Sequence, residues 1–74
     1  MREKDIERIL TREIRKRNGL ALKFISPGVN GVPDRLVLLQ DGRMAFIELK
    51  APGRKMRPIQ IKRKRQLEAL GFSV

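Results

Sequence analysis

Asp34, Glu48 and Lys50 are the residues whose types and spacing could perform chemistry in this chain. They stand in the strings Pro33-Asp34 and Glu48-Leu49-Lys50, with thirteen residues between the carboxylates, in a 74-residue chain of formal charge +10. A polycation that binds nucleic acid gains nothing from acidic groups near the phosphates unless they hold a divalent cation that works on a phosphodiester. Metal-assisted phosphodiester hydrolysis is therefore the chemistry expected. The competing explanation is a structural ion pair between Glu48 and Lys50, because the strand they end is apolar on both faces and an unpaired buried charge is costly.

Whether the carboxylates cooperate depends on one hairpin. The segments Arg35 to Leu39 and Met44 to Leu49 read as strands joined through Gln40-Asp41-Gly42-Arg43. A two-residue loop at Asp41-Gly42 would put Asp34 opposite Leu49, on the other face from Glu48. A three-residue loop, Gln40-Asp41-Gly42 with Gly42 left-handed, pairs Leu39 with Arg43 and sets Asp34 opposite Glu48. The carboxylates then share one face, roughly 5 Å apart at Cβ, and Lys50 projects to the same side. The three-residue loop with a bulge at Gly42 is the expectation.

The remaining elements must carry that hairpin. From Lys4 to Asn18, Ile6, Ile9, Leu10 and Ile14 recur at helical spacing, and Gly19 supplies a stop. Leu20 to Ser26 suits a strand, and Pro27-Gly28-Val29-Asn30-Gly31 is a loop. Ala51-Pro52-Gly53 breaks the hairpin strand. A second helix starts at Pro58 and runs to about Leu70, with Ile59, Leu67 and Leu70 on its buried side and Gly71 closing it. Phe72-Ser73-Val74 begins a last strand. The order is α-β-β-β-α-β around a central antiparallel hairpin.

Composition bounds the rest. Seventy-four residues allow one domain, residues 1–74, with a thin core. With neither Cys nor His present, disulfides and ordinary zinc sites are excluded, so a two-fold homodimer is the expected reinforcement. No apolar run suggests a signal peptide or membrane span, and a soluble cytoplasmic protein is expected. The balance of 18 Lys+Arg against 8 Asp+Glu points to a polyanionic partner, nucleic acid before membrane, since there is no Trp and neither helix offers a Phe. Phe24, Phe46 and Phe72 sit among apolar neighbours as core residues do, which argues against base stacking.

The succession Gly31-Val32-Pro33-Asp34, a hydrophobic strand pair, Ile47-Glu48-Leu49-Lys50 and a helix opening Arg57-Pro58-Ile59-Gln60 resembles the PD-(D/E)xK nucleases. Within them it is most similar to the small phage-type VRR-NUC (virus-type replication-repair nuclease) proteins, over essentially the whole chain. The resemblance implies an α/β fold, a minimal restriction-endonuclease-like core with a mixed sheet. It implies Asp34 and Glu48 as ligands of Mg²⁺, with Mn²⁺ able to substitute, and Lys50 as the catalytic lysine facing the phosphate. The backbone carbonyl of Leu49 would join the ligands. Glu7 on the first helix is a further candidate ligand, against the alternative that it pairs with Arg8, Arg12 or the helix amino end. Gln60 matches a Gln common at the start of the second helix, where it would touch a phosphate or a metal-bound water, or else cap the first turn.

Arg54, Lys55, Arg57, Lys62, Arg63, Lys64 and Arg65 place seven cations in twelve positions directly after Lys50. Such a run is often a solvated face, yet a loop and helix starting beside the metal site can carry a phosphate backbone across the carboxylates. Arg54, Lys55, Arg57, Lys62 and Lys64 are the candidate DNA contacts. Together these features imply a Mg²⁺-dependent DNA endonuclease on duplex or branched DNA, by analogy a four-way (Holliday) junction, in the host cytoplasm if viral, with no organic cofactor and no membrane partner. The alternative is a non-catalytic nucleic-acid-binding module with structural carboxylates.

Overall fold

A computed structural model covers the whole chain, Met1 to Val74. Helix α1 spans Glu3–Lys16. Its first turn is closed by Asp5, whose Oδ2 accepts the Arg2 N–H at 3.0 Å, and Glu3 and Asp5 lie at its positive end while Arg15 and Lys16 lie at its negative end. It stops through Asn18 rather than Gly19. Asn18 is the left-handed residue, at φ 57°, and the Gly19 and Asn18 N–H groups donate back to the Ile14 and Arg15 carbonyls, each at 2.9 Å. Gly19 serves the next contact, because a Cβ there would lie 2.7 Å from the Leu38 carbonyl oxygen.

Strands β1 (Leu20–Lys23), β2 (Arg35–Leu38) and β3 (Met44–Ile47) form one antiparallel sheet in that order. Leu38 pairs with Met44 and Arg35 with Ile47. The hairpin is the three-residue form: the Leu39 N–H donates to the Arg43 carbonyl at 2.8 Å, and Gly42 is left-handed at φ 71°. Asp41 is left-handed too, at φ 65°, which its short polar side chain tolerates. The loop therefore turns through two consecutive left-handed residues, where only Gly42 was expected.

The pleat divides the sheet into two faces. Val37, 1% exposed, Arg35 and Leu49 look toward α1, where Ile14 is also buried. Leu36, Phe46 and Phe24 line the other face, where Phe46 packs between Phe24, tilted at 5.7 Å, and Phe72, edge-to-face at 5.9 Å. Helix α2, Pro58–Ala69, attends this second face. Its fully buried residue is Gln60; of the expected stripe, Ile59 and Leu67 are half-buried and Leu70, 68% exposed, faces solvent. Polar anchors and Phe72 add to what Ile59 and Leu67 contribute. The Phe72 N–H closes α2 onto the Leu67 carbonyl at 3.1 Å, and Ser73 accepts the Phe46 N–H at 2.8 Å. That single bond on the outer edge of β3 stands where a fourth strand was expected, and the sheet is antiparallel throughout rather than mixed.

The loop between β1 and β2 is pinned to α2. Arg63 Nε donates to the Asn30 carbonyl at 2.9 Å, and Gly31, at φ 79°, passes so close that a Cβ would lie 2.6 Å from the Ile59 carbonyl oxygen. Gly31→Ala should therefore destabilise the fold by about 2 kcal/mol or more, combining a left-handed penalty with a backbone clash. Gly28→Ala, with nothing within 4 Å of its Cβ, should shift a chemical denaturation midpoint little. Equal midpoints for the two variants would contradict the close approach.

Candidate active site

The β2–β3 register, continued by one residue, sets Asp34 directly opposite Glu48. This is a non-hydrogen-bonded position of the ladder, since Leu39 and Arg43 form a hydrogen-bonded pair and the two kinds alternate. Side chains at such positions approach most closely. The next pair would join Pro33 to Leu49, and Pro33 has no N–H to give. The ladder ends there for that reason. The Leu49 N–H turns to Asp34 Oδ2 at 3.3 Å, which fixes the carboxylate. The Leu49 carbonyl has no partner among the hydrogen bonds of the fold. Asp34 is also held through its main chain, its carbonyl accepting the Phe24 N–H at 2.8 Å.

Glu48 is oriented from α2. Gln60 Nε2 donates to Glu48 Oε1 at 2.9 Å, while Gln60 Oε1 accepts the Arg57 N–H at 2.8 Å in a half capping box. Both ends of one amide are thus committed: Gln60 caps the first turn of α2 and at the same time holds Glu48. Lys50 Nζ lies 3.5 Å from Glu48 Oε1, and the Glu48 side chain is only 8% exposed. Burial pushes the Glu48 carboxyl above its ordinary value, Asp34 adds to the rise, and Lys50 opposes it. Gln60→Ala should cost about 1 kcal/mol through removal of the cap and lower turnover roughly tenfold by freeing Glu48, read as separate losses in thermal melts and single-turnover cleavage.

Glu7 lines the cleft that holds Asp34 and Leu49, about 250 Å³ in volume. Its carboxylate, however, is taken by Arg35, a buried residue that also donates from Nη1 to the Asp34 carbonyl at 3.3 Å. No third acidic side chain converges with Asp34 and Glu48. The structure thus brings Asp34, Glu48, Leu49, Lys50 and Gln60 together and leaves Glu7 at the rim, paired with neither Arg8 nor Arg12. Arg35 is the residue that sequence reasoning missed. Its signal was an arginine at an inward position of an apolar strand, which demands an acidic partner from a neighbouring element.

The donor set suits a small hard cation. Two carboxylates, one of them strained by burial and by the other, form a charge conflict that a divalent ion relieves. Mg²⁺ commonly takes one or two carboxylates and completes its shell with water and substrate phosphate oxygens. Of the basic residues, Arg54, Lys55, Arg57 and Lys62 are exposed, Lys64 is half-buried, and none forms an ion pair. Arg63 is spent on Asn30.

No family model matches the chain. A phage protein, "Putative nuclease p44" of Acyrthosiphon pisum secondary endosymbiont phage 1, is 51% identical over all 74 residues, which span 80% of its length. A solved VRR_NUC domain superposes with a TM-score of 0.89 at 27% identity, covering 97% of this chain and 78% of the solved one. The fold and the site define a nuclease of the PD-(D/E)xK kind. The chain belongs to the VRR-NUC family.

Proposed function

We propose that this nuclease hydrolyses DNA phosphodiester bonds with Mg²⁺, or Mn²⁺ in its place, held by Asp34, Glu48 and the Leu49 carbonyl. The observation that carries this reading is the Asp34–Glu48 pairing, with a free carbonyl beside it and Lys50 adjoining. When bound, the metal lowers the pKa of water and offsets charge on the phosphate. The chain's own residues do the rest. The Leu49 N–H and Gln60 hold the two carboxylates in place, and Lys50 stands ready to meet negative charge developing on the phosphate oxygens. With no His in the chain and Lys50 serving as the cation, the proton leaving water goes to a carboxylate, the substrate phosphate or solvent. Arg54, Lys55, Arg57, Lys62 and Lys64 hold the phosphate backbone beside the site, giving strong salt dependence.

We further propose that the active form is a homodimer with two sites, suited to branched DNA such as a four-way junction. Support comes from a thin core, seven buried residues in 74, and from Leu20, Leu22 and Leu38, each more than a third exposed on one sheet face. The test is cleavage of labelled duplex, flap and four-way-junction DNA with Mg²⁺, Mn²⁺ or EDTA, with sedimentation of the same samples. Metal-dependent nicking, strongest on branched DNA and by a species of twice the chain mass, is expected. DNA binding without nicking under every metal condition would favour the non-catalytic module.

A further inference from the structure

Arg8, Arg12 and Arg15 stand on one flank of α1, spaced by four and three residues and so within about 60° around the helix axis. All three are exposed, and none forms an ion pair. The acids that could neutralise them are engaged elsewhere: Glu7 with Arg35, Glu13 with Lys16, Asp5 with Arg2. The buried Arg35 thus has a second effect, since by claiming Glu7 it leaves the α1 arginines with their charge unspent. With Glu7 and Thr11 they line a shallow concavity of about 300 Å³. Glu7 is also a wall of the cleft holding Asp34 and Leu49. The two depressions therefore adjoin at Glu7, which sets the arginine flank next to the cleft of Asp34.

The basic run after Lys50 belongs to a different element, the loop and first turns leading into α2. Cations thus reach the site from two independent elements. We propose that the arginine flank of α1 is a second contact surface for the phosphodiester backbone of the substrate, holding the stretch of nucleic acid that lies on the α1 side of the scissile bond. Along the helix the three arginines cover about 10 Å, while a duplex strand presents one phosphate per ~3.4 Å of axis. The flank is therefore long enough for two or three phosphates. This surface rests on the proposed action on DNA and extends it, because it implies a footprint spanning both helices.

The experiment compares the wild type, Arg8→Gln/Arg12→Gln/Arg15→Gln, the single Arg12→Gln and, as the α2-side control, Arg54→Gln/Lys55→Gln. Binding to a labelled 30-base-pair duplex is measured in EDTA across a salt series. Every phosphate that an arginine no longer neutralises should lower the slope of log K against log salt by about 0.9, so the triple variant should lose about 2 to 3 and the single Arg12→Gln about 1. Both α1 variants should keep the wild-type circular dichroism spectrum, since the three side chains are exposed. An unchanged slope in the triple and single α1 variants, with a reduced slope in the control, overturns the α1 surface and leaves DNA as substrate. A wild type that shows no salt-dependent binding overturns both.

Discussion

Glu48→Gln should abolish metal-supported cleavage, by about 10³-fold or more in single-turnover rate, while the metal-free protein becomes more stable. The loss follows from removing one of only two carboxylates that could hold the cation, which supplies several kcal/mol of transition-state stabilisation in such sites. The gain follows from the charge conflict. Glu48 is buried, faces Asp34, and has its carboxyl raised above the ordinary 4.5 by that burial first and by Asp34 second. The folded chain consequently binds this proton more tightly than the unfolded chain. Its contribution to stability is full below the unfolded pKa and is lost as pH rises through the raised folded one. Gln60 can still donate to the amide oxygen of the substituted side chain, so the substitution keeps the hydrogen bond and removes the titration. Denaturation midpoints from pH 4 to pH 8 should therefore fall less steeply for the variant. A variant less stable than wild type at neutral pH, in EDTA, would contradict the strain. Activity and stability should thus move in opposite directions at this one position, as at sites whose function requires local conflict.

Removing the exposed partner of the Glu7–Arg35 pair should do more damage than removing the buried one. Arg35 is 6% exposed and Glu7 46% exposed in its side chain. Glu7→Ala strands a buried guanidinium, whose remaining partner is the Asp34 carbonyl. Breaking a fully buried pair in this way costs about 3–5 kcal/mol. Because Glu7 borders solvent and water can reach the gap, about 2 kcal/mol is the expected loss. Arg35→Met removes the buried charge together with its need for a partner and leaves Glu7 hydrated, so a loss within about 1 kcal/mol is expected. Urea unfolding of the two variants decides this ordering. The reverse order would mean that Arg35 contributes chiefly through its contact with Asp34, and Arg35→Met should then also disturb metal affinity.

Local sequence settles much of the hairpin. Asp41-Gly42 marks the turn and the strand pair needs a register, which leaves Asp34 across from Glu48 in the three-residue loop and across from Leu49 in the two-residue one; the structure takes the first. Pro33 reinforces the same register by ending the ladder and leaving the Leu49 carbonyl free. The charge run after Lys50 and the turn cluster before Pro33 were equally legible, because loops and solvated helices are written in local residue types.

What the sequence alone could not decide was which partner each polar group would choose across elements. Glu7 had Arg8 and Arg12 beside it on its own helix, yet it pairs with Arg35 on β2, a strand brought to it by packing. Gln60 could have capped or reached the site, and docking of α2 lets one amide do both. Leu70 was periodic with the inward positions of α2 but faces solvent, since Ile59 and Leu67, half-buried, share the docking of α2 with Gln60 and with Phe72 against Phe46. Phe72 to Val74 had strand composition and made one bond to β3. By itself, then, the sequence determined the hairpin and narrowed to two loop registers the facing of the two carboxylates, since turn stereochemistry and strand alternation are local. Only the tertiary structure decided what orients them and which arginines remain free, because those outcomes depend on burial and on distances between residues far apart in the chain.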